Sequence, residues 1–219
     1  GAGQAQPAMT QPALSPDGSH IAFAAAGAIW TVAAQGGPAR LLVASEATDA
    51  RPLYSPDGRW LAFESTRSGG GDIYVLQLAS NQLRRLTWSD GAESLDGWSP
   101  DSQWIYFSSS QRNIHGMNDI YRLPVGGGTP LAVSAERYVT QYDAAPAPDD
   151  HSLAVVTLGE MGLSQWWRNG HAHIDNTEIW RVTPAAASGA KTGYERLLPT
   201  GDAKNLWPMW SPDGKTLYF

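Results

Sequence analysis

Apolar and polar residues alternate along this chain in short runs, and the runs come in sets. Ile21-Ala22-Phe23, Leu61-Ala62-Phe63, Ile105-Tyr106-Phe107, Leu153-Ala154-Val155 and Leu217-Tyr218-Phe219 form one set. Ala28-Ile29-Trp30, Asp72-Ile73-Tyr74, Asp119-Ile120-Tyr121 and Glu178-Ile179-Trp180 form a second. Ala39-Arg40-Leu41-Leu42, Leu83-Arg84-Arg85-Leu86-Thr87, Pro130-Leu131-Ala132-Val133 and Glu195-Arg196-Leu197-Leu198 form a third. A period of two with aromatic and β-branched content predicts strands. No run of helical period and useful length competes.

Each member of the first set follows a Pro-Asp turn. The turns are Leu14-Ser15-Pro16-Asp17-Gly18, Tyr54-Ser55-Pro56-Asp57-Gly58, Trp98-Ser99-Pro100-Asp101-Ser102, Ala147-Pro148-Asp149-Asp150 and Trp210-Ser211-Pro212-Asp213-Gly214. Proline presets φ, aspartate bonds a backbone N–H two residues on, and glycine accepts positive φ without a clash. In four of the five turns the Leu or aromatic residue two places before the proline (Leu14, Tyr54, Trp98 and Trp210) closes the preceding strand and is expected to pack between sheets. One unit thus reads strand, tight turn, strand, loop, strand, turn, strand. That is a four-stranded antiparallel meander of about 40 residues, the size of a propeller blade.

The expected fold is an all-β β-propeller. Its blades cover about residues 10–46, 47–91, 92–136 and 137–200, with a partial fifth at 201–219. A propeller closes into a ring to hide its sheet edges. Four blades and a part are therefore expected to belong to a longer chain, with self-association through the open last blade as a consequence.

Composition narrows the partners. The net charge is −6 and no Lys/Arg-rich run occurs, which argues against nucleic acid. No apolar stretch is long enough to span a membrane. Cysteine is absent, so disulfides, thiolate metal sites and cysteine nucleophiles are excluded. Residues 1–9 are small and polar, as expected of a disordered stub left after signal-peptide removal, and imply a periplasmic or secreted protein.

Candidate chemistry is sparse. No Gly-x-Ser-x-Gly elbow and no phosphate loop is present, so no catalytic residue and no cofactor is assigned. His20 and His151 follow turns and read as solvated. Gly69-Gly70-Gly71 and Gly126-Gly127-Gly128 read as flexible hairpin tips. His171, His173 and Asp175 would share one face of a strand, where three metal ligands can converge. The same His-x-His occurs in metal-dependent amidohydrolases, there after a barrel strand. No barrel pattern surrounds it here, so hydrogen bonding within a polar loop is favoured and no metal is assigned.

That loop is long. From the turn proline to the isoleucine of the third strand the distance is 13, 17, 20 and then 31 residues in successive units. The excess lies in residues 158–177. Loops of this length in a compact repeat are functional or disordered. Two tryptophans with an arginine make a recognition surface. Trp166, Trp167, Arg168, His171, His173 and Asp175 are therefore the candidate binding residues. The competing expectation is a lid whose tryptophans pack on a neighbouring blade.

The pattern Trp-Ser-Pro-Asp-Gly, then Asp-Ile-Tyr, then Arg-Leu-Thr resembles the WD40-like repeats of TolB and of propeller-bearing peptidases. The segment from Gln165-Trp166-Trp167-Arg168 through His171-Ala172-His173-Ile174-Asp175 to Trp180 resembles the N-terminal propeller of tricorn-like serine peptidases. The resemblance implies a propeller that binds or gates peptide for a peptidase, with peptide, protein or adjacent domains of the parent chain as partners. It supplies no catalytic residue. A TolB-like interaction propeller without an enzyme is the alternative. The propeller of a prolyl-oligopeptidase-like or amidohydrolase enzyme is another.

Overall fold

The computed structural model describes residues 8–136, 139–158, 177–186, 190–198 and 206–219. Every regular element among them is a strand. The first sheet is β1 (Thr10–Leu14), β2 (His20–Ala25), β3 (Ala28–Ala33) and β4 (Arg40–Val43). The second is β5 (Asp49–Tyr54), β6 (Trp60–Ser65), β7 (Asp72–Gln77) and β8 (Gln82–Arg85). The third is β9 (Glu93–Trp98), β10 (Trp104–Ser109), β11 (Asp119–Pro124) and β12 (Leu131–Ser134). The fourth is β13 (Thr140–Pro146), β14 (Leu153–Leu158), β15 (Thr177–Thr183) and β16 (Gly193–Arg196). A fifth sheet holds β17 (Met209–Trp210) and β18 (Leu217–Tyr218). All pairs are antiparallel and sequential, the meander of propeller blades.

Each Pro-Asp turn joins the first and second strands of its sheet, as the repeat predicts. The serine before the proline does more than the turn pattern alone suggests. Ser15 Oγ donates to Asp17 Oδ1 at 2.6 Å and accepts from the His20 N–H at 2.9 Å. Asp17 Oδ1 also accepts from the Ser19 N–H at 3.0 Å. Ser55, Ser99 and Ser211 repeat this arrangement with Asp57, Asp101 and Asp213. The fourth sheet has Ala147 in that place, and Ser152 reaches Asp149 from the far side instead. Three glycines take the left-handed turn position, and Ser102 and Asp150 occupy it in the other two sheets. Leu14, expected to pack, is 61% exposed, whereas its counterpart Trp98 is buried. Leu14 belongs to the first sheet described.

Two compact units divide the chain, residues 1–92 and 93–219. In the first, Ala22, Ile29 and Val43 of one sheet pack on Leu61, Phe63, Tyr74 and Leu76 of the next. In the second, Tyr106, Ile120 and Val133 pack on Leu153, Val155, Trp180 and Val182. Fully burying one such side chain contributes about 1.5–3 kcal/mol. The first strand of a blade sits nearest the preceding blade: β5 lies against β1, β2 and β3, and β13 against β9, β10 and β11. Backbone bonds fix this step. The Asp49 N–H donates to Gly27 O at 2.9 Å, and the Gln141 N–H to Asn118 O at 2.8 Å.

Gly70 corrects the expectation of a merely flexible tip. A Cβ there would lie 2.6 Å from the Asp90 carbonyl oxygen, so only glycine fits where the two backbones cross. The tip at Gly126 is open, as expected.

Candidate functional site

Two features recur at fixed places in the meanders, each in three of the four complete blades. The first is a buried rung at the end where the second and third strands connect. In the second sheet Asp49, Ser65 and Asp72 face one another across three strands. Glu93, Ser109 and Asp119 do so in the third sheet, and Gln141, Thr157 and Glu178 in the fourth. All nine side chains are buried. Ala25 and Ala28 take the matching places in the first sheet.

A carboxylate taken out of water is retained only when cations and donors surround it. In the second sheet Arg67 bonds Asp49 Oδ1 at 2.8 Å and Ser65 Oγ at 2.8 Å. Its guanidinium also lies over the Phe63 and Tyr74 rings, 5.6 and 5.0 Å from their centroids. Arg85 bonds Asp72 at 2.9 Å, beside the Ser68 hydroxyl at 2.8 Å. In the fourth sheet Arg196 stands 3.4 Å from Glu178, which also accepts from Trp180 Nε1 at 2.8 Å. The third sheet has Gln111 in the place of Arg67 and Ala132 in the place of Arg85. Burial holds the Asp119 carboxyl above its ordinary range there, against the opposing pull of the Asn113 amide. In the second and fourth sheets these contacts tie the strand ends together. Among the described residues no group of three His, Asp or Glu side chains is placed to hold a metal.

The second feature is a β-bulge in the first strand. Gln11 and Pro12 together face Phe23, Arg51 and Pro52 face Phe63, and Asp143 and Ala144 face Val155. Gln11, Arg51, Asp143 and Trp207 all have left-handed backbones, with φ of 53°, 49°, 51° and 53°. Each stands five residues before its turn proline. Three of them are followed by proline, which further disfavours helical backbone at the residue before it. A non-glycine residue in this region costs about 1–2 kcal/mol. Bulges of this kind re-aim a side chain. In β9 the register shifts at Asp96 instead.

Three of the four left-handed residues have work inside the chain. Gln11 Oε1 accepts from the Arg51 N–H at 2.9 Å and ties β1 to β5. Arg51 lies 3.6 Å from Glu64. Asp143 is engaged within the chain, and its charge adds to burial in raising the neighbouring Tyr142 phenol. Trp207 is 71% exposed and makes no hydrogen bond or ring contact among the described residues.

The sequence-derived candidates Trp166, Trp167, Arg168, His171, His173 and Asp175 lie outside the described residues. The stems of their segment are described. Leu158 and Thr177 form the last rung between β14 and β15, next to the buried Gln141–Thr157–Glu178 rung. The insertion therefore leaves its sheet at the end that carries the acids. In the third sheet the matching loop carries Ile114, which is 93% exposed. The bulge row went unnoticed in the sequence because single Gln-Pro, Arg-Pro and Trp-Pro pairs carry no signal. Their fixed distance from the turn proline does.

The whole of this architecture, and nearly the whole chain, is covered by one family. Residues 6–219 match the model of the tricorn protease N-terminal β-propeller domain. The chain belongs to that family. Among solved structures, TolB from Acinetobacter baumannii superposes with a TM-score of 0.71 at 21% identity, over 96% of this chain and 48% of TolB. The tricorn protease superposes with a TM-score of 0.64 at 18% identity, over 89% of this propeller chain and 18% of the protease. The β-propeller domain of the Trilobed protease from Pyrococcus furiosus gives 0.57 at 13% identity, over 90% of this chain and 59% of that one. The tricorn-family propeller described here thus spans about half of TolB and less than a fifth of the tricorn protease. At these identities the likeness is one of fold.

Proposed function

We propose that this propeller is a non-catalytic domain that binds or gates peptide for a larger, exported tricorn-like serine peptidase. The family match carries the reading. The site is proposed at the insertion 158–177, with Trp166, Trp167 and Arg168 as anchors and His171, His173 and Asp175 ordering the loop by hydrogen bonds. Its stems support this reading, because Leu158 and Thr177 pair as the last rung of β14 and β15. Rigid aromatics and arginine at such a place contribute about 1 kcal/mol or more each to an interface. The partner is an extended peptide or an adjacent domain of the parent chain. The small, polar composition of residues 1–9 is compatible with export.

The test is the double substitution Trp166→Ala with Trp167→Ala, read by peptide affinity and thermal midpoint on the same protein. Affinity falls and the midpoint stays. A large fall in midpoint with unchanged affinity refutes the reading and makes the two tryptophans core residues. Stoichiometric Zn²⁺ binding by calorimetry would overturn the hydrogen-bonding role of His171, His173 and Asp175 alone. A TolB-like interaction propeller without an enzyme is the second reading, favoured by the superposition on TolB. The codons that follow Phe219 separate the two. A serine peptidase core supports the first, and a stop soon after further blades supports the second.

A further inference from the structure

A cavity of about 440 Å³ opens at the turn ends of the first two sheets, both in the first unit. Small-ligand sites run from about 300 to 1,000 Å³. Its wall carries Asp17 and Asp57 from the two turns, Thr31 from β3, Arg40 and Leu42 from β4, and Tyr54 from the end of β5. Opposite charges share this cavity without meeting. The Arg40 guanidinium makes no hydrogen bond, ion pair or ring contact among the described residues. Asp17 Oδ1 accepts from the Ser15 hydroxyl and from the Ser19 N–H and hydroxyl, which leaves Oδ2 open among the described residues. Asp57 is already paired, its Oδ2 held by Arg59 Nε at 2.7 Å.

In the fourth sheet the same place has its charges satisfied from within. Thr31 stands opposite Ala22 and Arg40, and Arg181 opposite Ala154 and Glu195, so the two pairs are equivalent. Arg181 bonds Glu195 at 3.1 Å and lies over the Trp210 ring, 5.4 Å from its centroid. Trp210 holds the place of Tyr54, two residues before the turn proline. In the first sheet the arginine is on the other strand, and a threonine takes the place facing it. Arg40 therefore lacks the carboxylate that closes the pair in the fourth sheet. Thr31 is also too short to fill the groove as Arg181 does. Its hydroxyl lies 3.5 Å from the Tyr54 hydroxyl, and both groups can donate or accept. A cation without a carboxylate, an acid with an open oxygen and two hydroxyls match a ligand that carries both charges.

We infer that this cavity binds a dipeptide with both termini free, its carboxylate on Arg40 and its ammonium on Asp17 Oδ2, with the Thr31 and Tyr54 hydroxyls as partners for its peptide unit. Two residues span up to about 7 Å, whereas a single amino acid carries both charges on one carbon and suits charges that nearly touch. The site belongs to residues 1–92 and does not rest on the insertion. The experiment titrates the protein by calorimetry with Ala-Ala, with N-acetyl-Ala-Ala and with Ala-Ala amide. Ala-Ala binds about fivefold or more tightly than either capped form, as exposed to half-exposed charged contacts allow. Arg40→Gln abolishes the preference over the amide and keeps that over the acetyl form. Asp17→Asn does the reverse. Arg40 is exposed, so Arg40→Gln leaves the thermal midpoint unchanged and decides the matter even where Asp17→Asn weakens its turn. No binding of Ala-Ala at millimolar concentration, equal affinity for the amide, or a preference that survives Arg40→Gln overturns the inference. Inorganic phosphate bound as tightly as Ala-Ala would mark a bare anion site and overturn it too. If Ala-Ala binding is lost on replacing Trp166 and Trp167 by Ala, the reading at the insertion stands and this inference falls. If Ala-Ala binds as described while longer peptides do not bind at all, this inference stands and that reading falls.

Discussion

Arg67 is the residue whose loss the structure prices most clearly. Asp49 is 0% exposed, and its Oδ1 depends on Arg67 at 2.8 Å. Among the described residues its other oxygen has only the Ser45 hydroxyl, at 3.2 Å. Removing one partner of a buried pair costs about 3–5 kcal/mol, since the remaining charge stays out of water. Arg67 is 21% exposed, so water reaches part of the vacated space and the lower end applies. Loss of the stack on Phe63 and Tyr74 adds about 0.5–1 kcal/mol. Arg67→Met keeps the apolar stem, so about 3 kcal/mol is expected. At about 2–4 °C per kcal/mol for a domain of this size, the midpoint falls by about 6–12 °C. Calorimetry or circular dichroism reads it directly. The decisive measurement is the double variant Arg67→Met with Asp49→Asn. It removes the stranded charge and recovers at least about half of the loss, a non-additivity that marks coupled groups. A single-variant loss below about 1 kcal/mol, or strict additivity in the double, refutes a buried ion pair at this rung.

Two further outcomes follow from the turns and the crossing backbones. Asp17 is held down to about 2 by the Ser15 hydroxyl first, then by the Ser19 N–H and hydroxyl. Its folded value lies below its unfolded one, so its stabilisation is complete above about pH 4 and is lost as pH falls toward 2. Asp57, Asp101, Asp149 and Asp213 are lowered in the same direction. Acid unfolding followed by circular dichroism therefore steepens below pH 4. Asp17→Asn flattens its share, and an unchanged acid limb would count against the staple. Gly70→Ala places a methyl 2.6 Å from a carbonyl oxygen and lowers stability by about 1–3 kcal/mol, whereas Gly126→Ala, in open space, stays within about 0.5 kcal/mol. Equal midpoints for the two variants would show that the crossing at Asp90 relaxes freely.

How much was legible in the sequence depends on the range of the interactions involved. The sheets were legible because their cause is local. Alternation fixes which residues face the core, and the turn prolines set the phase of each meander, so five repeats of one pattern specify the same blade. The insertion was legible for the same reason, as an excess against a regular spacing. Other features needed the strands to be paired. Asp49, Ser65 and Asp72 are separated by 16 and 7 residues and become one buried rung only across β5, β6 and β7. Whether the acids there are neutralised depends on Arg67 and Arg85, which lie in a loop and in the fourth strand. Gly70 looked like a free hairpin tip until the backbone of residues 90–91 crossed it. Trp207 looked like one tryptophan among 10. Its left-handed φ, repeated at Gln11, Arg51 and Asp143, and its exposure are properties of the folded backbone. Local pattern decides which elements form, because propensity and periodicity act within a few residues. Tertiary structure decides which side chains lose their water and which stay in it, because burial and charge pairing act across strands far apart in the chain.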